Sequence, residues 1–198
     1  MIECFKTKYT WHDVESGDNF PADDAKIFIE RIKNRLIGKD LKQILIQSFY
    51  QCGETCNETE TFTEWAKKNG PTYIEWDDPL ILCIGNERLE ISLWQPDRYF
   101  LGLNVANVQE IIDTDKVSLN SIFEKEYKPN SPTFYDISAC YKEKLIGQKI
   151  KNIELITGRY EEDDTLLDEY FDKIVITLEN GVVFNILDSI DSPTIEIV

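Results

Sequence analysis

The sequence predicts an α+β protein made of two tandem related modules, each one helix packed on an antiparallel meander of about four strands. Three observations predict this. A short stretch of the chain recurs, each copy is preceded by apolar residues at helical spacing, and each is followed by alternating apolar residues interrupted by tight-turn residues.

The recurring stretch is Arg35-Leu36-Ile37-Gly38-Lys39-Asp40-Leu41-Lys42-Gln43-Ile44-Leu45-Ile46, which lies over Lys144-Leu145-Ile146-Gly147-Gln148-Lys149-Ile150-Lys151-Asn152-Ile153-Glu154-Leu155. A match this short arises by chance among many windows, so the order of the flanking elements has to agree. Upstream of the first copy, Ala25, Phe28, Ile29, Ile32 and Leu36 recur every three or four residues, with Asp23 and Asp24 at the start. That is an amphipathic helix with acids at the positive end of its dipole. Upstream of the second copy, Ile137, Tyr141 and Leu145 repeat the four-residue step. Gly38 and Gly147 stand where each helix needs a left-handed residue to stop.

Strands follow in the same order. Leu41, Ile44 and Ile46 parallel Ile150, Ile153 and Leu155. Leu80, Leu82 and Ile84 then alternate up to Gly85-Asn86-Glu87, after which Leu89, Ile91 and Leu93 resume. In the second half Ile174, Ile176 and Leu178 alternate up to Glu179-Asn180-Gly181, followed by Val182, Phe184 and Ile186. Both read as hairpins, and Asn180-Gly181 is the stronger turn signal. A last strand closes each module: Tyr99, Leu101, Leu103 and Val105 in one, Thr194 to Ile197 in the other. Pro96 and Pro193 precede them, where no ladder bond is lost.

The domain reading is therefore a first module over 1–105, a connecting segment over 106–134 and a shorter second module over 135–198. The halves differ mainly in their first loop. The first module carries a long loop, 47–78, with Cys52, Cys56, Trp65, Tyr73 and Trp76 and a short helix over Glu60 to Lys68; the second carries only 156–172. The connection holds two candidate helical turns, Val108 to Ile112 and Leu119 to Phe123, and a linker at Lys128-Pro129-Asn130-Ser131-Pro132.

Composition bounds the function. The 198 residues are 42% hydrophobic and include 10 Phe, 9 Tyr and 4 Trp, enough large side chains to offset the entropy of ordering a core. The formal charge is -16: 12 basic residues face 18 acidic ones in 1–99, and 9 face 19 in 100–198. Clustered Lys and Arg are what phosphate needs, so nucleic acid and anionic membrane are not expected partners, and a basic protein is. No apolar run is long enough to span a bilayer and the start, Met1 to Lys6, lacks a signal pattern, so a cytoplasmic location is expected. Five cysteines at irregular spacing fit reduced thiols better than a disulfide framework.

Catalytic signals are weak. His12 is the single histidine, so any triad or histidine metal centre would run through it. Cys52 and Cys56 are separated by three residues, one more than the redox pattern, with no second ligand pair to complete a zinc set. No phosphate loop, nucleophile elbow or metalloprotease motif occurs, and no catalytic residue, cofactor or metal is expected. The densest charge run is Glu161-Glu162-Asp163-Asp164 with Asp168 and Glu169, close to Tyr160; it lacks the calcium-loop pattern and reads as a solvated loop or a surface for a basic partner. The candidate partner-binding residues are Trp65, Trp76, Tyr160, Glu161, Glu162, Asp163, Asp164, Asp168 and Glu169, although packing on the core is the commoner fate of aromatics such as Trp65 and Trp76 in a long loop.

In size, charge and lack of catalytic motifs the chain is similar to the small acidic cytosolic immunity proteins with which bacteria neutralise toxins, often nucleases. That similarity implies a non-enzymatic inhibitor of a basic protein. The alternatives are an enzyme of unrecognised type, built on His12, Cys52, Cys56 and the acids, and a self-associating module; monomer and homodimer are both open.

Overall fold

Helical spacing in the sequence becomes a buried face in the fold. The computed structural model describes residues 22–51, 59–69, 75–95, 98–123, 133–162, 165–189 and 192–198. The first element among these residues is helix α1 (Ala22–Leu36), with Lys33 and Arg35 in the last turn where the dipole favours cations. Phe28, Ile29, Ile32 and Leu36 are all buried, and at about 2 kcal/mol for each large apolar side chain their burial is what fixes the helix. Gly38, at φ 76°, ends it.

The strands then run in the expected order. β1 (Leu41–Gln51), β2 (Glu75–Ile84), β3 (Glu87–Gln95) and β4 (Arg98–Leu103) form one antiparallel meander. β7 (Ile150–Glu162), β8 (Thr165–Leu178), β9 (Val183–Ser189) and β10 (Ser192–Ile197) form the other. Pro193 lies in β10, an edge strand, where its missing N–H costs no ladder bond. Between β1 and β2 sits helix α2 (Phe62–Asn69), the short helix expected there.

The registers of the two meanders agree in detail. In β1, two residues from Leu41 to Gln43 face one step from Ile84 to Cys83; in β7, two from Ile150 to Asn152 face one from Leu178 to Thr177. Further along, Ile46 to Ser48 spans Leu80 to Asp77, and Leu155 to Thr157 spans Ile174 to Phe171. Both bulges therefore fall at matching places. So do the contacts where the halves meet. Gly38 N–H donates to Ile150 O and Gly147 N–H to Leu41 O, each at 2.8 Å. Leu41 N–H donates to Gln148 O at 2.8 Å, and Ile150 N–H to Lys39 O at 2.9 Å. The exchange is reciprocal, around the bridge between Asp40 and Lys149.

Three expectations need correction. The second module has no full helix: its Ile137, Tyr141 and Leu145 are buried as helical spacing requires, but on a 3-10 turn (Ser138–Tyr141) followed by further turns up to Gly147. Ten residues separate Asp136, at the end of β6, from Gly147, and the chain covers them with the 3-10 turn and successive turns instead of one α-helix. Second, Val108 to Ile112 is not a helical turn. Glu110–Asp113 is strand β5, parallel to β6 (Thr133–Asp136), with β-branched Ile111 and Ile112 paired to Phe134 and Tyr135. Helix α3 (Leu119–Phe123) is as expected. Third, 156–172 is largely strand, because β7 and β8 pair from Ile150↔Leu178 out to Glu162↔Thr165.

The segment expected to connect the modules thus supplies β5 and the start of β6, extending the first sheet to the order β4-β3-β2-β1-β6-β5. The helical segments also cross over. α1 packs chiefly on β7, while the 3-10 turn packs on β1 and α2. One core results, shared by Leu41, Ile44, Leu82 and Ile91 of the first sheet and Ile150, Ile153, Ile176 and Phe184 of the second.

Candidate functional site

The acidic run lies on an arm. β9 pairs with β8 only over Lys173 to Thr177, so from Phe171 outward β8 is paired, among the described residues, with β7 alone. Along this two-stranded ribbon the register sets Arg159 opposite Glu169, Tyr160 opposite Asp168, Glu161 opposite Leu166 and Glu162 opposite Thr165. Asp163 and Asp164 lie outside the described residues. Glu161 and Glu162 therefore belong to a paired strand and not to an irregular loop, and Asp168 and Glu169 lie on the strand beside them. A ribbon of two strands is marginal in water without packing, so its persistence rests on the sheet from which it grows.

Trp76 is also on a hairpin, paired to Phe49 in the outer part of β1 and β2. By register it occupies in the first half the place that Tyr170, paired to Gly158, occupies in the second. Trp65 is corrected. It is 1% exposed on α2, stacked on Phe62 with ring centroids 6.1 Å apart, and belongs to the shared core, so it has no face to offer a partner. His12, Cys52 and Cys56 lie outside the described residues, and among the described residues no three His, Cys, Asp or Glu side chains gather to hold a metal ion.

The two described cysteines are poor nucleophiles. Burial pushes the Cys83 thiol up to about 11 and the Cys140 thiol up to about 12, so both stay protonated at neutral pH. Burial likewise pushes the Tyr141 phenol up.

Sequence reasoning missed a polar latch on the outer face of the first sheet. Glu90, between core residues Leu89 and Ile91, reads as solvent-facing but is 2% exposed. Its Oε1 accepts N–H groups from Val105 at 2.7 Å and Ala106 at 2.6 Å. Burial raises its carboxyl above the ordinary range, while the two amide bonds and Arg88 act the other way. The strap these bonds hold lays Ala106 and Val108 against Leu45, Ile81 and Phe134. Asn104, at φ 61°, turns the chain into the strap: its Oδ1 accepts the Arg88 N–H at 2.8 Å and its Nδ2 donates to Glu87. Arg35 donates to the same Glu87 carboxylate at 2.7 Å, and these two bonds hold Glu87 below the usual carboxylate range. An Asn directly after a strand is a turn signal, and it was the one available clue.

Comparison with protein-family models, with curated proteins and with solved structures finds no match for this chain. Among the described residues no helix is long and apolar enough to cross a membrane.

Proposed function

We propose that this protein is a non-enzymatic, cytoplasmic binding protein whose acidic β7–β8 arm engages a basic protein partner, as an immunity or antitoxin-like inhibitor does. The observation that carries the reading is the placement of Glu161, Glu162, Asp168 and Glu169 on both strands of a ribbon that extends past its neighbouring strand. A net charge of -16 adds a long-range field that speeds encounter with a cation-rich surface and rejects acidic ones. Tyr160 and Tyr170 on the same ribbon are of the type that anchors interfaces.

The test compares the unsubstituted chain with a variant carrying Glu161→Gln, Glu162→Gln, Asp168→Asn and Glu169→Gln, both immobilised and offered native-cell extract at low and high salt. A basic protein retained at low salt by the first, and bound about 10-fold or more weakly by the second, supports the reading. Equal retention by both chains sinks it, provided circular dichroism shows the variant folded.

We also infer that the two halves descend from one duplicated unit. Support comes from the matching strand order, the two bulges at equivalent places and the reciprocal bonds of Gly38 and Gly147.

A further inference from the structure

Between β4 and β5 the chain crosses the outer face of the first sheet as the strap, 104–109, which has no regular secondary structure. Asn104, at φ 61°, is its hinge. Asn104 N–H donates to Arg88 O at 2.9 Å, and Val108 N–H turns back to Ala106 O at 3.2 Å. The bonds that tie the Val105 and Ala106 N–H groups to the sheet both end on one atom, Glu90 Oε1. Against the strap lie Leu45, Ile81 and Phe134, each 3% exposed or less, while Val105 of the strap is 48% exposed. One side chain therefore fastens a cover over an apolar patch.

Little around that side chain would balance a charge on it. Glu90 is buried and forms no ion pair among the described residues. Its second oxygen accepts no bond among them, and Ser92 Oγ, on the same face of β3 and also buried, finds no partner. Register sets Ile81 of β2 on one side of Glu90 and Gly102 of β4 on the other, and no residue of the strap titrates. Cys83, paired with Arg88, keeps its proton because burial pushes the thiol up to about 11. Arg88, two residues back on the same face, is the cation that acts on Glu90; Lys42 of β1 and Asp136 of β6 act on Cys83. Glu87, beside the hinge, is tied to Arg35 and Asn104.

We propose that the strap is a proton-controlled latch, closed over Leu45, Ile81 and Phe134 while Glu90 is protonated and lifting at Asn104 as Glu90 ionises. A buried carboxylate without an ion pair is costly, and lifting the strap returns it to water. The two amide bonds favour the charged form, but burial outweighs them and holds the Glu90 carboxyl above its ordinary range. Because the closed value lies above the solvated one, closure is favoured in full below the ordinary carboxylate range, and that contribution is lost as pH rises through the closed value. Rising pH thus uncovers an apolar surface, independently of any partner and of the acidic arm. Glu87 is held below the usual carboxylate range, so it changes charge in a lower window and does not share this transition.

Residue-resolved amide exchange on the full chain from about pH 4 to 8, expressed relative to the unstructured rate at each pH, tests this. Protection of Val105 and Ala106 should fall about 10-fold or more as Glu90 ionises, the scale on which one unpaired buried charge weighs on a local opening. Leu41 and Ile150, whose amides are bonded across the two halves, should keep theirs. In Glu90→Gln, which keeps an acceptor and carries no charge, both strap amides should stay protected at every pH. Strap protection that is flat or rises with pH in the unsubstituted chain, or a fall shared by Leu41 and Ile150, overturns the proposal. So does a fall that persists in Glu90→Gln, or strap amides left open at every pH in that variant when folded. Should Glu90→Gln fail to fold, the carboxyl carbon resonance of Glu90 in the unsubstituted chain decides: a midpoint that coincides with the loss of strap protection supports the latch, and separate midpoints overturn it.

Discussion

Replacing Glu90 separates two roles that one side chain combines. In Glu90→Ala, the amides of Val105 and Ala106 lose the acceptor that holds them at 2.7 and 2.6 Å. Each orphaned buried donor costs about 1 to 3 kcal/mol, but lifting the strap rehydrates both at the expense of the contacts Ala106 and Val108 make with Leu45, Ile81 and Phe134, so a loss of about 2 to 4 kcal/mol is expected. Glu90→Gln keeps a carbonyl acceptor of the same shape and removes the charge. Since burial raises the folded carboxyl above its ordinary value of 4.5, this group's stabilising contribution is full below that value and is lost as pH rises through the folded value. Ionised Glu90 therefore costs stability at neutral pH, and Glu90→Gln should be at least as stable as the parent near pH 7 (about 7), with a flatter pH profile above the carboxylate range. Urea denaturation of the three chains from about pH 4 to 8 measures this. If Gln lost as much as Ala at neutral pH, the carboxylate charge itself would be what holds the strap, and the reasoning from burial would fail.

Further expectations follow from other parts of the fold. Gly38→Ala and Gly147→Ala should each cost about 1 to 2 kcal/mol and by nearly equal amounts, because both glycines sit at positive φ with open space where a Cβ would go; thermal unfolding that separates them by more than about 1.5 kcal/mol would argue against equivalent places. Cys83 and Cys140, both partly buried, should react more slowly with an alkylating agent in the native protein at about pH 8 than in denaturant, so equal labelling rates in the two states, read by mass spectrometry of their peptides, would contradict the raised thiols. Asn104→Ala should cost about 1 to 3 kcal/mol in chemical denaturation, since it loses the bond from Arg88 and the bond to Glu87 and places a Cβ-bearing residue without Asn's local bonding at positive φ; a neutral result would show that the Glu90 bonds alone fix the strap.

Legibility in the sequence followed the range of the interactions. The α1 face, the hairpin at Gly85-Asn86 and the stop at Gly147 are local, and period and turn chemistry carried them. Ile137, Tyr141 and Leu145 show where that logic stops: their spacing gave the buried face correctly but did not distinguish an α-helix from the 3-10 turn and turns that carry it. Val108 to Ile112 failed for a different reason, because a four-residue edge strand has too little pattern to outweigh a helical reading and gains its identity from β6 beside it. In the candidate site, the acids were visible as a charge run, but their arrangement on two paired strands depended on a register that composition does not carry. Trp65 was named both as a partner-binding candidate and as an aromatic for the core, and only the fold chose the core, since an aromatic's burial depends on what packs over it.

The sequence by itself determined the α+β class, the order of eight of the ten described strands, both glycine stops and the sign of the electrostatic field, all of them set by residue type and near-neighbour spacing. Tertiary structure alone decided that α1 crosses to the other half's first strand, that β5 and β6 join the first sheet, and that an outward-reading glutamate is buried beneath a strap. The physical reason is common to these: each depends on which surfaces, distant along the chain, exclude water from one another, and neither period nor composition records that pairing.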